Sequence, residues 1–298
     1  MKESKQPLDR AGLLKLASTA SVITAGFLIV AKLVAWYITG SVGLLASLVD
    51  SVMDSIASLI NLFAIRYSLQ PADEKHRFGH GKAEPLAGLA QAAFIAGSAI
   101  FLTFHAIDRL RSGQVIEQVG IGIGVMILAI VLTIVLLAIQ RYVIKKTDST
   151  AIRADSLHYL TDLLTNMSIL VALYLSTLGW IWADPVFAIG VAVYIFYSAW
   201  QIGHEAFQQL MDRELPRDIR DQIQKIAMSH PEVTGTHETR TRQSGQTRFV
   251  QLHLELNENM SLKRAHEIAD GIEAEIMEYL PGAEVIIHQD PIDDSASN

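Results

Sequence analysis

Asp50 and Asp54 stand four residues apart in the segment SLVDSVMDS, and His158 and Asp162 stand four apart in ADSLHYLTD. That spacing stacks each pair on one face of a helix. Three carboxylates and an imidazole, with no cysteine anywhere in the chain, are a donor set for a divalent cation. A tetrahedral arrangement of such donors suits zinc. Both pairs fall inside long apolar stretches. A carboxylate at membrane depth costs a few kcal/mol or more unless something pairs with it, so charges there mark an ion or proton path. The plainer alternative is a set of helix-end polar groups facing water. It suits a single residue such as His158 better than two matched pairs.

Two further clusters have ligand-type residues. The polar loop DEKHRFGHG brings Asp73, His76 and His80 close in sequence, enough for one ion, although scattered loop histidines are common. Gly79 and Gly81 permit tight turns there. Near the C-terminus, Val250, Leu252, Leu254 and Leu256 alternate in a strand pattern, which puts His253 on the other face with Gln251 and Glu255. His288 and Asp290 share a face of the last strand, and His237 and His266 come from the first strand and the second helix of this region. Histidine and carboxylate without sulfur suit zinc or another borderline ion; a solvated sheet face bearing histidines reads equally well. His105, His204 and His230 join no cluster and are read as structural. Lys82 and Asp212 could pair across the domain junction, or be solvated separately.

Six apolar stretches must position the first constellation. They run over about 13–38, 41–66, 82–107, 119–141, 150–178 and 184–204, with a loop at 108–118 and a polar linker at 141–150. Half of the 298 residues are hydrophobic, which places the chain in the membrane class. The first stretch is too long for a signal-peptide core and is read as a retained helix. Lys and Arg collect at the N-terminus, in the 67–82 loop and in the 141–153 linker, so the positive-inside rule places both termini in the cytoplasm. The net charge of -7 argues against a nucleic-acid partner. The expected division is 1–209 for a six-helix, all-α transmembrane domain and 210–298 for a cytoplasmic α+β domain of order αββαβ.

Depth brings the two pairs together. Counted inward from the cytoplasmic ends, Asp54 lies about 12 residues deep, Asp50 about 16, His158 about 8 and Asp162 about 12, which at ~1.5 Å per residue puts the pairs within roughly 6 Å of one level.

With these motifs the chain resembles the cation diffusion facilitator family, most closely its bacterial zinc and ferrous-iron efflux type. The resemblance covers nearly the whole chain. It implies that Asp50, Asp54, His158 and Asp162 form the transport site, and that Asp73, His76 and His80 form a second site. It further implies that His237, His253, His266, His288 and Asp290 form a binuclear site near a homodimer contact, in a metallochaperone-like tail. Lys82 and Asp212 match a charge interlock of this type. Members with histidine at the position of His158 typically carry zinc and cadmium. The expectation is therefore proton-coupled efflux of Zn²⁺, with Cd²⁺ and Fe²⁺ also accepted, across the bacterial inner membrane. The structural ion is Zn²⁺, the counter-ion is H⁺, and membrane lipid surrounds the spans. A membrane metal sensor or receptor is the alternative, but it needs no ligands at mid-membrane. An intramembrane metalloenzyme is a third reading. Catalytic zinc keeps an open position and a general base, and the nearest spare acid is Asp155.

Overall fold

A computed structural model of the protein describes residues 10–40, 42–112, 121–178, 180 and 182–292. The chain divides into two compact units, Met1–Phe207 and Gln208–Asn298.

The first unit is built from six helices, α1 (Arg10–Thr39), α2 (Val42–Ser68), α3 (Ala83–Ser112), α4 (Ile121–Thr147), α5 (Thr150–Thr177) and α6 (Ala183–Leu210). Even 27 residues of helix rise about 40 Å, beyond the ~30 Å hydrocarbon core of a bilayer. Over the described residues, five of the six, all but α5, are apolar enough as well as long enough to cross a membrane. The first half of α5 carries Arg153, Asp155, His158 and Asp162, which lowers its apolarity below that of its neighbours. Its burial compensates. Ala151, Ile152, Ala154 and Asp155 are fully enclosed. Leu13, Leu14 and Ala17 of α1, Ile65 of α2 and Val143 of α4 close over its start, and Ile95 of α3 and Ile195 of α6 close over its next turn. Small residues permit this closeness. At Gly88 of α3 an added Cβ would meet the Thr150 backbone at 3.2 Å. The outward faces are apolar, with Phe27, Phe63, Phe101, Val193 and Trp200 exposed.

Several boundaries differ from the sequence pattern. Helix α4 continues through Lys145 and Lys146, so the expected 141–150 linker shrinks to Asp148 and Ser149. Cations in a last turn favour the helix C-terminus, and Asp148, with φ 55°, ends it. Helix α3 runs on to Ser112. The rest of the expected 108–118 loop, the start of span four with Gly120, and most of the polar N-terminus lie outside the described residues.

The second unit contains α7 (Arg217–Ala227), β1 (Gly235–Ser244), β2 (Thr247–Asn257), α8 (Leu262–Tyr279) and β3 (Glu284–Ile292). The sheet order is β1-β2-β3, with β1–β2 antiparallel and β2–β3 parallel. The alternation in β2 buries Val250, Leu252, Leu254 and Leu256 against Ile268, Ile272 and Ile276 of α8 and Ile223 of α7. Gly245, at φ 58°, makes the hairpin turn. A bulge breaks the register of β1, where His237 pairs with His253 and Arg240 with Gln251. Glu238 supplies the positive φ of 47° within it. Strict alternation would put His237 and Thr241 on one face. The extra residue separates them. His237 stays on the His253 face, while Thr241 is buried, donating through its hydroxyl to Glu214 and accepting from the Leu215 amide at 2.9 Å.

Candidate metal centre

Asp54 on α2 and His158 and Asp162 on α5 converge, with one ligand atom of each within 4.8 Å of the others. The buried His158 Nε2 lies 3.0 Å from Asp54 Oδ1. A ring nitrogen and two carboxylates directed into one small space form a donor set for a cation. The His158 ring is set edge-on to Tyr159, with centroids 5.6 Å apart. Asp50 lies one turn along α2 from Asp54; its side chain is outside the described ones. Asp54 and Asp162 border a cavity of about 260 Å³, whose lining also includes Lys32, Ser51, Thr133 and Asn166.

One turn before His158, Asp155 is wholly buried and accepts from neutral donors on three other helices. Ser21 Oγ donates to Oδ2 at 2.5 Å, Gln140 Nε2 to Oδ2 at 2.8 Å, and Gln91 Nε2 to Oδ1 at 3.3 Å. Tyr159 extends this network, donating to the Ser21 carbonyl at 3.1 Å and lying 2.9 Å from Ser58 Oγ. Sequence reasoning noted Asp155 only as a spare acid and passed over Lys32. Both are charged residues within long helices of the membrane unit.

The loop residues also meet. Asp73 Oδ1 lies 3.3 Å from His76 Nδ1, and Asp73 Oδ2 lies 3.3 Å from His80 Nε2. The His76 amide donates to Asp73 Oδ1 at 2.6 Å and the Lys75 amide at 2.8 Å. The His76 amide is the leading reason that the Asp73 carboxyl titrates below its ordinary value. His80 is buried, with Tyr67 set edge-on to its ring at 4.5 Å. Gly79 takes φ 75°, whereas Gly81 keeps an ordinary backbone.

In the second unit His237, His253 and Asp290 also bring ligand atoms within 4.8 Å of one another. Asp290 Oδ2 lies 2.7 Å from His253 Nδ1 and 3.2 Å from His237 Nε2, and its Oδ1 lies 3.2 Å from His288 Nε2. The His253 contact is the main cause holding the Asp290 carboxyl below its usual range. His237 Nδ1 meets Glu255 Oε1 at 2.9 Å. The parallel register sets His253 directly beside His288. His266 is not brought to this cluster within one chain. The helices cover the opposite sheet face, and His266 is exposed on α8 beside Asp270 at 3.4 Å. Asp212, at φ 54°, accepts from Arg242 Nη1 at 3.4 Å within its own unit.

A model of the cation efflux transmembrane domain matches residues 18–211, and one of the cation efflux protein cytoplasmic domain matches residues 215–292. The chain belongs to the cation efflux, or cation diffusion facilitator, family. Like other cation efflux proteins it is a membrane transporter and not an enzyme. It is 52% identical over 279 residues to the cation-efflux pump FieF of Salmonella choleraesuis (strain SC-B67), covering 94% of this chain and 93% of that protein. Identity is 51% to the FieF pump of Salmonella newport (strain SL254), with the same coverage. Among solved structures, the metal-bound C-terminal domain of the CzcD transporter from Thermotoga maritima is 30% identical, covering 28% of this chain and 98% of that one, with a TM-score of 0.25.

Proposed function

We propose that this cation efflux protein exports divalent metal in exchange for protons, with Zn²⁺ the principal cargo and Cd²⁺ and Fe²⁺ also accepted. The convergence of Asp54, His158 and Asp162 beside the cavity carries this reading. In it, Asp50 supplies the fourth ligand from the next turn of α2. Both termini and the second unit face the cytoplasm, and the membrane is the bacterial inner membrane.

Metal loading requires a neutral imidazole and ionised carboxylates, so binding the ion expels protons from its own ligands. Protons arriving when the site faces outward weaken the same bonds and release the metal. A lone imidazole, titrating near neutrality when unperturbed, suits that exchange. Relative movement of α2 and α5 would open the site to either side, since the ligands are divided between them. Four ligands with borderline character exclude neither cadmium nor ferrous iron.

The protein works as a homodimer in this reading. The match to the family's cytoplasmic domain supports it. Zinc bound by His237, His253, His288 and Asp290, with His266 contributed from elsewhere in the dimer, holds the tails together. Asp73, His76 and His80 hold a further ion at the cytoplasmic loop.

Purified protein in liposomes tests the transport reading. Zinc flux should follow an imposed pH gradient, and Asp54→Ala should abolish it. Zinc binding without flux, or flux indifferent to the pH gradient, would overturn the antiport reading.

A further inference from the structure

Lys32 of α1 places a cation on the same cavity as Asp54 and Asp162. Its Nζ donates to Ser51 Oγ at 2.5 Å and to the Ser47 carbonyl at 3.2 Å, both on α2. Ser47 and Ser51 bracket Asp50 in sequence, and Ser51 is one turn from Asp54. Among the described residues lining the cavity, Lys32 is the only cation. A lysine at membrane depth is costly unless it is paired or functional.

We infer that Lys32 is the fixed counter-charge of the transport site, setting metal affinity low enough for release. The inference rests on the transport reading above. Three ionised carboxylates and a neutral imidazole leave a bound divalent ion with one surplus negative charge. The Lys32 ammonium cancels it, so the loaded cavity is formally neutral. An uncompensated charge in a low-dielectric site is expensive, and neutrality removes that cost from the step in which the loaded site changes sides. The same ammonium repels the bound metal. Its bonds to Ser47 and Ser51 hold the charge close to the ligands without making it one of them. Asp155, although nearby on α5, is held by Ser21, Gln91 and Gln140 and is not among the described residues lining the cavity.

Three substitutions separate charge from packing. Lys32→Gln keeps hydrogen-bond donors and loses the charge, Lys32→Met keeps only the stem, and Lys32→Arg keeps the charge. Each is made in the full chain with Asp73→Ala and His253→Ala, so that Zn²⁺ binding reports the membrane site, with Asp54→Ala as the zero. Kd comes from competition with a chelating dye, and KM and maximal flux come from liposomes. The repulsion removed is that of a unit charge on a divalent ion at partly screened range. Gln and Met should therefore tighten Zn²⁺ binding on the order of tenfold and lower KM and maximal flux together. Arg should restore parental values. Unchanged or weaker binding in both Gln and Met, or a Gln variant matching the parent while Met fails to fold, makes Lys32 a staple between α1 and α2 and overturns the inference. If Asp54→Ala binds Zn²⁺ as tightly as the parent, the transport site itself is misassigned and the inference falls with it. If binding is normal but flux is absent, only the antiport reading fails, and the Kd series still decides the role of Lys32.

Discussion

Replacing His253 by alanine should damage the candidate metal site of the second unit more than any other single change there. His253 sits at its centre. Its Nδ1 is 2.7 Å from Asp290, and its ring centroid lies 5.0 Å from that of His237 and 4.7 Å from that of His288. Ligands about 2 Å from a tetrahedral zinc are roughly 3.4 Å apart. The ligand atoms of His237, His253 and Asp290, all within 4.8 Å, therefore need to draw in by little more than an ångström. Four-ligand structural zinc sites hold their metal by about 10–16 kcal/mol, so one ligand stands for roughly 3 kcal/mol. That corresponds to a loss of somewhat over a hundredfold in affinity. Calorimetric titration of Zn²⁺ into the full chain carrying Asp54→Ala and Asp73→Ala isolates the site. His288→Ala, further from the shared oxygen, should cost less. A loss under tenfold for His253→Ala, or a larger one for His288→Ala, would refute the placement of His253 at the centre.

Three other outcomes follow from the packing. Deleting Glu238 should remove the β1 bulge, leaving Thr239 alone opposite Leu252 while the flanking pairs His237–His253 and Arg240–Gln251 persist, so His237 keeps the metal face. The tail should stay folded by circular dichroism and keep zinc affinity close to the parent's by calorimetric titration, whereas a loss as large as that of His237→Ala would refute this register. Gly88→Val should force α3 away from the Thr150 backbone, costing roughly 1–3 kcal/mol as overpacking does, seen as a lower thermal midpoint in detergent. Arg264 holds the Glu232 carboxyl below its ordinary value, chiefly through its hydrogen bonds. A depressed carboxyl stabilises the fold above its unfolded-state value, and that contribution is lost as pH falls through the folded one. Arg264→Ala should therefore return Glu232 to an ordinary titration by NMR and flatten the acid-side decline in stability.

The approach of Asp54 to His158 and Asp162 was legible because helical spacing and burial depth are both written in the order of residues. The buried surface of α8 was equally readable, since Ala265, Ile268, Ala269, Ile272 and Ile276 repeat at helical spacing. That pattern already turned His266 away from the sheet, although family resemblance grouped it with the other histidines. The bulge beside His237 was not legible. Nothing in GTHETRTRQS marks Glu238 for a positive φ, and the register follows from packing Thr241 against Glu214 and Leu215. The continuation of α4 past its lysines was missed for a related reason. Polar residues suggested a linker, while backbone geometry and the α4–α5 turn allowed a helix. Lys32 carried no partner in the order of residues, and only its approach to Ser47 and Ser51 gives it a role.

The polarity of α5 bears on how the protein is made. On the six-span reading, a helix bearing Arg153, Asp155, His158 and Asp162 would be a poor substrate for insertion by itself, because each charge at the helix centre opposes partitioning into lipid. Only Asp148 and Ser149 separate it from α4, and Gln140 of α4 donates to Asp155 at 2.8 Å. The two helices are thus suited to enter the bilayer as one hairpin, the apolar arm carrying the polar one. Cargo binding and biogenesis then make opposite demands on the same helix, and the α4 arm is what reconciles them.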